Sequence, residues 1–202
     1  MSVYLTSDPH FGHAKVASIR GFTTTDEHDD AVIESYFSMM PSDGRREVDD
    51  LWILGDLTSG GRTAEEYALE RLRYFSLWSG TRLHLVEGNH DSCSSIHRDG
   101  WKRQERFLKV FESVHAFARR RGPGRVPVFL SHYPYPEAGD GPHREGARYL
   151  EYRLPDHGHW LLHGHTHQPE KLSGPRSIHV GWDAWRRPVT WGEIEKIIKE
   201  EE

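Results

Sequence analysis

The chain has 202 residues, of which 36% are hydrophobic and 28% charged, and its net charge of −5 argues against a strongly basic nucleic-acid-binding protein. It contains no apolar run near the roughly 20 residues that cross a bilayer, no secretory signal at its start, and only one cysteine, Cys93, so a disulfide framework is excluded. These observations predict a single domain over residues 1–202 that is cytoplasmic, with no membrane partner and no stable nucleic-acid partner.

Short apolar runs recur along the chain, and each ends abruptly at Gly, Asp, Asn or His. Near-continuous apolar composition over a few residues predicts strands that are buried on both faces. Such strands are predicted at residues 3–6, 51–54, 83–86, 126–130, 160–162 and 178–182.

Helical spacing of apolar residues predicts helices between these strands, at residues 27–39, 64–77 and 193–199. Thr25-Asp26 is a suitable N-cap for the first helix, and Gly80 follows the second. The basic run Arg119-Arg120-Arg121 is interpreted as a solvated turn, and residues 134–155 as a long surface loop. Strands that alternate with helices indicate an α/β domain, whose sites lie at the carboxyl ends of its strands.

Polar side chains with metal-ligand chemistry follow the predicted strands directly. They are Asp8, His10, Asp56, Asn89, His90, His132, His165 and His167. Mixed nitrogen and oxygen ligands of this number suit one or two divalent ions such as Mn²⁺, Fe²⁺, Ni²⁺ or Zn²⁺. Asp8 and His10 are two residues apart and point to one side of an extended strand end, as do His165 and His167. Asp56 is the natural carboxylate to bridge two ions.

Five blocks of sequence, in order, resemble the calcineurin-like metallophosphoesterase superfamily. They are Asp8-Pro9-His10, Gly55-Asp56, Gly88-Asn89-His90-Asp91, His132 and Gly164-His165-Thr166-His167. The sequences around the first and fourth blocks, together with Asp183-Ala184-Trp185, are similar to a small bacterial and phage phosphodiesterase branch of that superfamily.

The resemblance implies a role for each matching position. Asp8, His10 and His167 would hold one metal ion, Asp56 would bridge both, and Asn89, His132 and His165 would complete the second. His90 would not bind metal but would approach a phosphate oxygen or the leaving group. Two divalent ions are implied, with Mn²⁺ favoured over Fe, Ni or Zn. The implied fold is α/β, with two mixed β-sheets packed as a sandwich and flanked by helices in a four-layer αββα arrangement.

Two positions depart from the protein-phosphatase branch of the superfamily. Ser59 stands where that branch has an Asp that supports the catalytic His, and Asp91 stands where it has Glu. Both departures favour a phosphodiesterase or a small-substrate phosphatase over a phosphoprotein phosphatase.

Three further residues are candidates for substrate binding. His13 either lines the substrate side of the site or caps the following helix. Arg144 and Arg148 lie in the long loop after His132, from which a guanidinium could reach a substrate phosphate.

The leading functional hypothesis is hydrolysis of a small phosphodiester, best a 2′,3′-cyclic nucleotide, by a metal-bridging hydroxide with His90 assisting. The alternatives are a broad-specificity phosphomonoesterase or a nuclease of the same superfamily. A non-catalytic metal-binding protein fits least, because a structural zinc site is closed by four ligands that are often cysteines.

Overall fold

The computed structural model describes residues 2–40, 48–141 and 145–201. The strands are β1 (Val3–Thr6), β2 (Asp50–Ile53), β3 (Arg82–Val86), β4 (Ser113–His115), β5 (Ala118–Arg121), β6 (Pro127–Leu130), β7 (Trp160–His163), β8 (Leu172–Gly174), β9 (Ser177–His179) and β10 (Val189–Thr190). The helices are α1 (Ala14–Ile19), α2 (Thr25–Met39), α3 (Arg62–Ser79), α4 (Gly100–Phe107), α5 (Trp182–Trp185) and α6 (Trp191–Glu201).

The first sheet has the strand order β10-β1-β2-β3-β4. Strands β1 to β4 are parallel neighbours, and β10 pairs antiparallel with β1 at the edge. Helices α2 and α3 lie between successive parallel strands, as parallel pairing requires. The carboxyl ends of β1, β2 and β3 therefore meet at one edge of this sheet.

The second sheet has the order β5-β6-β7-β9-β8. Its central strands β6, β7 and β9 are parallel, and its outer strands β5 and β8 are antiparallel to their neighbours. Both sheets are therefore mixed, which confirms the predicted α/β class with two mixed sheets.

The two sheets pack face to face through a shared apolar cluster. Leu5 and Val86 of the first sheet meet Leu130, Leu162 and Ile178 of the second, and all five are fully buried. Each such side chain contributes about 1.5–3 kcal/mol through removal from water. The opposite face of the first sheet forms a second cluster with α2 and α3. The sandwich thereby fixes the strand ends of both sheets relative to one another.

The long helices begin and end at recognisable caps. Thr24 forms a reciprocal capping box with Glu27 at the start of α2, one residue before the predicted Thr25-Asp26 cap. Helix α3 ends at Gly80, which adopts the left-handed φ of 71° that favours glycine. None of the helices in the described ranges combines the length and apolar composition that a membrane span needs.

Two expectations from the sequence are wrong. Arg119-Arg120-Arg121 is not a turn but belongs to β5, which pairs antiparallel with β6. The alternating environment of an edge strand explains this, since the Arg120 guanidinium lies 5.0 Å from the centre of the Trp191 ring. The strand predicted at residues 178–182 ends at His179, and Gly181 is already the N-cap of α5.

Candidate metal centre

The carboxyl ends of five strands bring the predicted site residues together. Asp8 and His10 follow β1, Asp56 follows β2, and Asn89 and His90 follow β3 in the first sheet; His132 follows β6, and His165 and His167 follow β7 in the second. The sheets join at this edge through a parallel bridge between Ser7 and Gly181. The structure thus collects side chains that are up to 159 positions apart in sequence.

Asp8, His10 and His167 form the first ligand group, with one donor atom of each within 4.8 Å of the others. Asp8 Oδ1 lies 3.8 Å from Nε2 of both imidazoles. This oxygen is buried and has no hydrogen-bond partner. A buried carboxylate oxygen without a donor is costly unless a cation satisfies it, so the group fits a metal ion.

Asp56, His132 and His165 form the second ligand group. His132 Nε2 lies 3.5 Å from Asp56 Oδ2, 3.2 Å from His165 Nδ1 and 3.2 Å from Asn89 Oδ1. Asn89 thus adds an amide oxygen to the two imidazoles and the carboxylate, which is the ligand chemistry of borderline divalent ions.

Asp56 lies between the two groups. Its Oδ2 is 3.5 Å from His132 Nε2 in the second group and 3.9 Å from His10 Nε2 in the first. Its Oδ1 accepts a hydrogen bond of 2.8 Å from the His90 backbone N–H. This position makes Asp56 the carboxylate that can contact both ions.

Hydrogen bonds to one ring nitrogen aim the other ring nitrogen of three ligand histidines into the centre. The Nδ1–H of His10 donates to the Thr58 carbonyl, and that of His132 donates to the Leu54 carbonyl. Nδ1 of His167 is bonded to Asp183 Oδ2 at 2.9 Å. His10 Nε2 and His167 Nε2 then converge at 3.1 Å, where a shared proton or a cation is needed between them.

Burial keeps most of these imidazoles neutral, which is the form that binds metal. Removal from water lowers the pKa of His10 well below its ordinary value and also lowers the pKa of His132. Burial and the neighbouring His132 lower the pKa of His165 to about 3. For His167, burial acts the same way, but the hydrogen bond to Asp183 outweighs it and raises the pKa.

The pKa values of the two carboxylates in the centre are shifted in opposite directions. Burial alone would raise the pKa of Asp8, but the imidazoles of His167 and His132 hold it below its ordinary value. At Asp56, burial and the nearby carboxylates of Asp8 and Asp91 raise the pKa well above its ordinary value. Two divalent cations would offset this concentration of buried negative charge.

The backbone of the centre is strained at five ligand positions. Positive φ angles of 49° to 70° occur at Asp8, His10, Asp56, His165 and His167. Residues other than glycine rarely adopt this left-handed region, and each instance costs about 1–3 kcal/mol. The surrounding sheets must therefore hold these residues in place, which indicates that their exact placement matters.

Two glycines allow the loops to approach one another closely. A Cβ on Gly55, whose φ is +87°, would lie 2.5 Å from the Gly88 nitrogen and 2.7 Å from His132 Nδ1. A Cβ on Gly164 would overlap Ser7 and the Asp8 carboxylate. The glycines beside the ligands therefore provide the space in which the loops meet.

Asp91 joins two of these loops through hydrogen bonds but does not face the centre. Its carboxylate accepts backbone hydrogen bonds from Asp56 and Leu57, each of 3.0 Å, and from Gly88 at 2.8 Å. The sequence motif includes Asp91, but only the structure reveals that it joins the loop after β2 to the loop after β3. It fixes the position of Asp56.

Asp183, which the sequence analysis did not place in the site, supports the first ligand group. It accepts from Arg20 Nε at 2.8 Å and Nη2 at 2.7 Å while its Oδ2 is bonded to His167. Arg20 also donates to the carbonyls of Asp8 and Pro9. The Asp183-Ala184-Trp185 segment, which is similar to the phage branch, is the signal in the sequence that could have indicated this role.

Replacing Asp183 with Asn is expected to weaken one of the two metal sites by about 10–100-fold, because His167 loses the carboxylate that orients it. Calorimetric titration of Mn²⁺ into metal-free protein measures this. Asp30→Asn, on the exposed face of α2, is the matched control and should leave both affinities unchanged. Unchanged binding of both ions by the Asp183 variant would contradict the assignment.

Asp140 anchors the long loop against the second ligand group. Its Oδ1 lies 3.4 Å from His165 Nε2, and it accepts hydrogen bonds from the side chains of Arg148 and Arg153. Arg153 is buried and also donates to the Gly139 carbonyl at 2.8 Å. Part of the predicted surface loop is thus held in the interior beside the metal centre.

The two arginines proposed for substrate binding have different outcomes. Arg148 is half-exposed, and its guanidinium pairs with Asp140, the carboxylate that faces His165. Its role toward a substrate stays a prediction. Arg144 lies outside the described residues.

His90 and His13 lie at the rim. The His90 side chain is 45% exposed, and its Nε2 is 4.0 Å from Asp56 Oδ2. Burial lowers its pKa, followed by the effect of His132. His13 Nδ1 accepts a 3.2 Å hydrogen bond from Val16 N and caps α1, while its ring centre lies 5.6 Å from that of His10. Both arrangements considered for His13 are compatible with this position.

Comparisons with known proteins agree with this geometry. The calcineurin-like phosphoesterase family model matches residues 1–169. The Gene 66 proteins of Mycobacterium phages L5 and D29 are 38% and 37% identical to the chain, cover 98% of it, and are themselves covered to 94% and 96%. A crystal structure of the protein of unknown function AQ665 from Aquifex aeolicus superposes with a TM-score of 0.67 at 21% identity, covering 97% of this chain and 98% of that one.

Proposed function

Because the chain belongs to the calcineurin-like phosphoesterases, a family of metal-dependent phosphoester hydrolases, we propose that it hydrolyses small phosphodiesters, with 2′,3′-cyclic nucleotides as the preferred substrates. The proposal includes two divalent cations, with Mn²⁺ favoured. The observation that carries it is the pair of ligand groups that share Asp56 below the half-exposed His90.

Two divalent cations bound in these groups would polarise the phosphate and supply a hydroxide nucleophile at neutral pH. The chain's own residues have separate tasks. Asp8, His10 and His167 would hold one ion, and His132, His165 and Asn89 would hold the other. The hydrogen bonds at the outer ring nitrogens of His10, His132 and His167 keep these three imidazoles from turning away, so little reorganisation is needed during reaction.

His90 is positioned to act on the phosphate rather than on a metal ion. Its backbone N–H is fixed by Asp56 Oδ1, while its ring projects from the loop after β3 toward solvent. Burial lowers the pKa of His90, so a proton that it carries is readily given to an alkoxide leaving group. Arg148, whose half-exposed guanidinium pairs with Asp140, would add positive charge near the phosphate.

The surroundings of His90 support a phosphodiesterase over a phosphoprotein phosphatase. Within the described residues, Asp56 provides the only carboxylate oxygen within 4.0 Å of the His90 imidazole. Ser59 stands at the position where the protein-phosphatase branch has its supporting Asp. His90 therefore lacks a dedicated carboxylate partner that would strengthen it as a base.

A substrate panel with Mn²⁺-reconstituted protein tests the proposal. It compares an aryl phosphodiester with an aryl phosphomonoester, and 2′,3′- with 3′,5′-cyclic nucleotides. We expect kcat/KM for the diester to exceed that for the monoester by about tenfold or more, with the 2′,3′-cyclic nucleotide the better of the cyclic pair. A faster monoester would favour a phosphomonoesterase, and no turnover of any member would contradict the proposal.

Replacing His90 with Ala is expected to leave both metal ions bound and to lower turnover of esters with alkyl leaving groups by about 10²–10⁴-fold, since general-acid assistance is lost. Esters with aryl leaving groups, which need less assistance, should lose less. Metal content by mass spectrometry and kcat for the two ester types measure this. The exposed His157→Ala variant is the control, and an unchanged kcat in His90→Ala would remove His90 from the mechanism.

A further inference from the structure

A groove of about 620 Å³ lies between the start of α3 and helix α4. Five cationic and two acidic side chains contribute to its lining. The cationic ones are Arg62, Lys102, Arg103, Arg106 and Lys109. This local excess of positive charge contrasts with the net charge of −5 of the whole chain.

Two segments that line the groove lie next to the backbone of His90. Ser92 lines it and is two residues beyond His90, and Arg103 Nη1 donates to the Ser92 carbonyl at 3.2 Å. On the other wall, Gly61 lines the groove directly after Gly60, where a Cβ would lie 3.5 Å from the His90 carbonyl oxygen. The backbone on both sides of His90 thus lies close to the groove wall, and a ligand that extends past His90 in this direction would meet its cationic side chains.

One of the two carboxylates that line the groove is already neutralised. Glu65 is fully buried and accepts hydrogen bonds from the Ser92 backbone N–H and hydroxyl and from the Arg106 guanidinium. Within the described residues, neither Arg103 nor Lys109 has a carboxylate oxygen within 4.0 Å. These two cations thus have charge to offer a ligand, while Glu105 is the remaining exposed carboxylate of the lining.

Two further features favour an anion here. Arg62 and Lys102 form ion pairs with Glu66 and Asp99, but these side chains are all about half-exposed or more, and such pairs are weak enough for an anion to replace. No side chain caps the first turn of α3, so its backbone N–H groups add positive potential at the end of the groove near Arg62.

We propose that this groove binds a second phosphate group of the same substrate, next to the phosphodiester held at the metal centre. The ligand class is a nucleotide or short oligonucleotide with a 2′,3′-cyclic phosphate at one end and a further phosphate on its 5′ side. This inference rests on the proposed function. The ligand is a substrate that binds transiently, not a nucleic acid held in a stable complex.

The first test compares uridine 2′,3′-cyclic phosphate with the same compound carrying a 5′-phosphate. We expect the wild-type protein to show a kcat/KM about tenfold higher for the 5′-phosphorylated compound, and the Arg103→Ala, Lys109→Ala double variant to lose this preference. The Lys196→Ala, Lys199→Ala double variant removes the same charge from α6, which packs near β1 and β10 at the opposite edge of the first sheet, and should keep it.

A second measurement does not depend on catalysis. Fluorescence polarisation of a labelled pentathymidylate in EDTA should detect salt-dependent binding that the Arg103, Lys109 variant weakens by about tenfold or more, with a smaller dependence on salt. If no substrate is turned over but the two variants differ in oligonucleotide binding, the proposed function is wrong and the groove is still a phosphate-binding site. Equal substrate preference, or equal oligonucleotide binding, in the groove variant and the α6 variant would overturn the groove as a phosphate site.

Discussion

Replacing Asp56 with Asn is expected to abolish tight binding of both divalent cations and to lower phosphodiesterase activity by about 10³-fold or more. The loss of metal affinity should exceed the 10–100-fold expected when a residue that only hydrogen-bonds to a ligand is replaced. Asp56 Oδ2 faces both ligand groups, because it lies 3.5 Å from His132 Nε2 and 3.9 Å from His10 Nε2. Metal content by mass spectrometry and kcat/KM on an aryl phosphodiester measure the two losses together.

Two comparison variants make this result specific. Asp8→Asn changes a carboxylate whose unpaired Oδ1 faces the first ligand group and whose Oδ2 accepts from the His165 backbone N–H, so it should release one ion and retain the other. Asp26→Asn, on the exposed first turn of α2, should change neither metal content nor activity. The Asp56 variant should stay folded by circular dichroism, because an Asn oxygen can still accept from the His90 N–H. Retention of one ion by Asp56→Asn would show that Asp56 does not bridge.

Replacing Asp91 with Ala is expected to lower the free energy of unfolding of the metal-free protein by about 3 kcal/mol or more. The change leaves the backbone N–H groups of Asp56, Leu57 and Gly88 without their acceptor in the interior, and each such loss costs about 1–3 kcal/mol. Urea unfolding of the metal-free variant measures the effect, so metal binding does not contribute to it.

Asp99→Ala is the matched control, because Asp99 is 47% exposed and its carboxylate pairs with Lys102 at the surface. Its effect should stay within about 1 kcal/mol. Asp91→Asn is a further comparison: it keeps one acceptor oxygen but directs an amide N–H₂ toward backbone donors, so it should be destabilising too. A loss below about 1 kcal/mol for Asp91→Ala would show that the two loops are held by other contacts.

The strands that position the centre could be predicted from the sequence because their signal is local. The buried core strands β1, β2, β3, β6 and β7 are short apolar runs, and a polar ligand follows each one directly. The carboxyl ends of β1, β2 and β3 meet because a helix lies between each successive pair of these parallel strands, and the family resemblance implied that the residues after β6 and β7 belong to the same site. The side chains that meet there could therefore be listed without knowledge of the contacts.

The surroundings of the ligands could not be predicted, because they depend on contacts between distant segments. Arg20 reaches Asp183 across 163 positions, and nothing near either residue in the sequence indicates the other. Asp140 lies in a loop without periodic spacing, yet it faces His165. The edge strand β5 could not be predicted for a different reason. The aliphatic parts of its arginine side chains cover one face of the sheet, so the strand has no pattern of apolar residues.

The ligand residues with positive φ angles also limit how the thermal stability of this protein can be raised. Asparagine would fit the backbone of Asp8 and Asp56 with less strain and would keep an acceptor oxygen for their backbone hydrogen bonds, so these two substitutions are a route to a more heat-resistant chain. A laboratory selection for thermostability alone would therefore favour these substitutions, and the selected variants would lack metal ligands. Any programme of directed evolution on this scaffold must screen for turnover in the same round, or it will enrich robust proteins that have lost their chemistry.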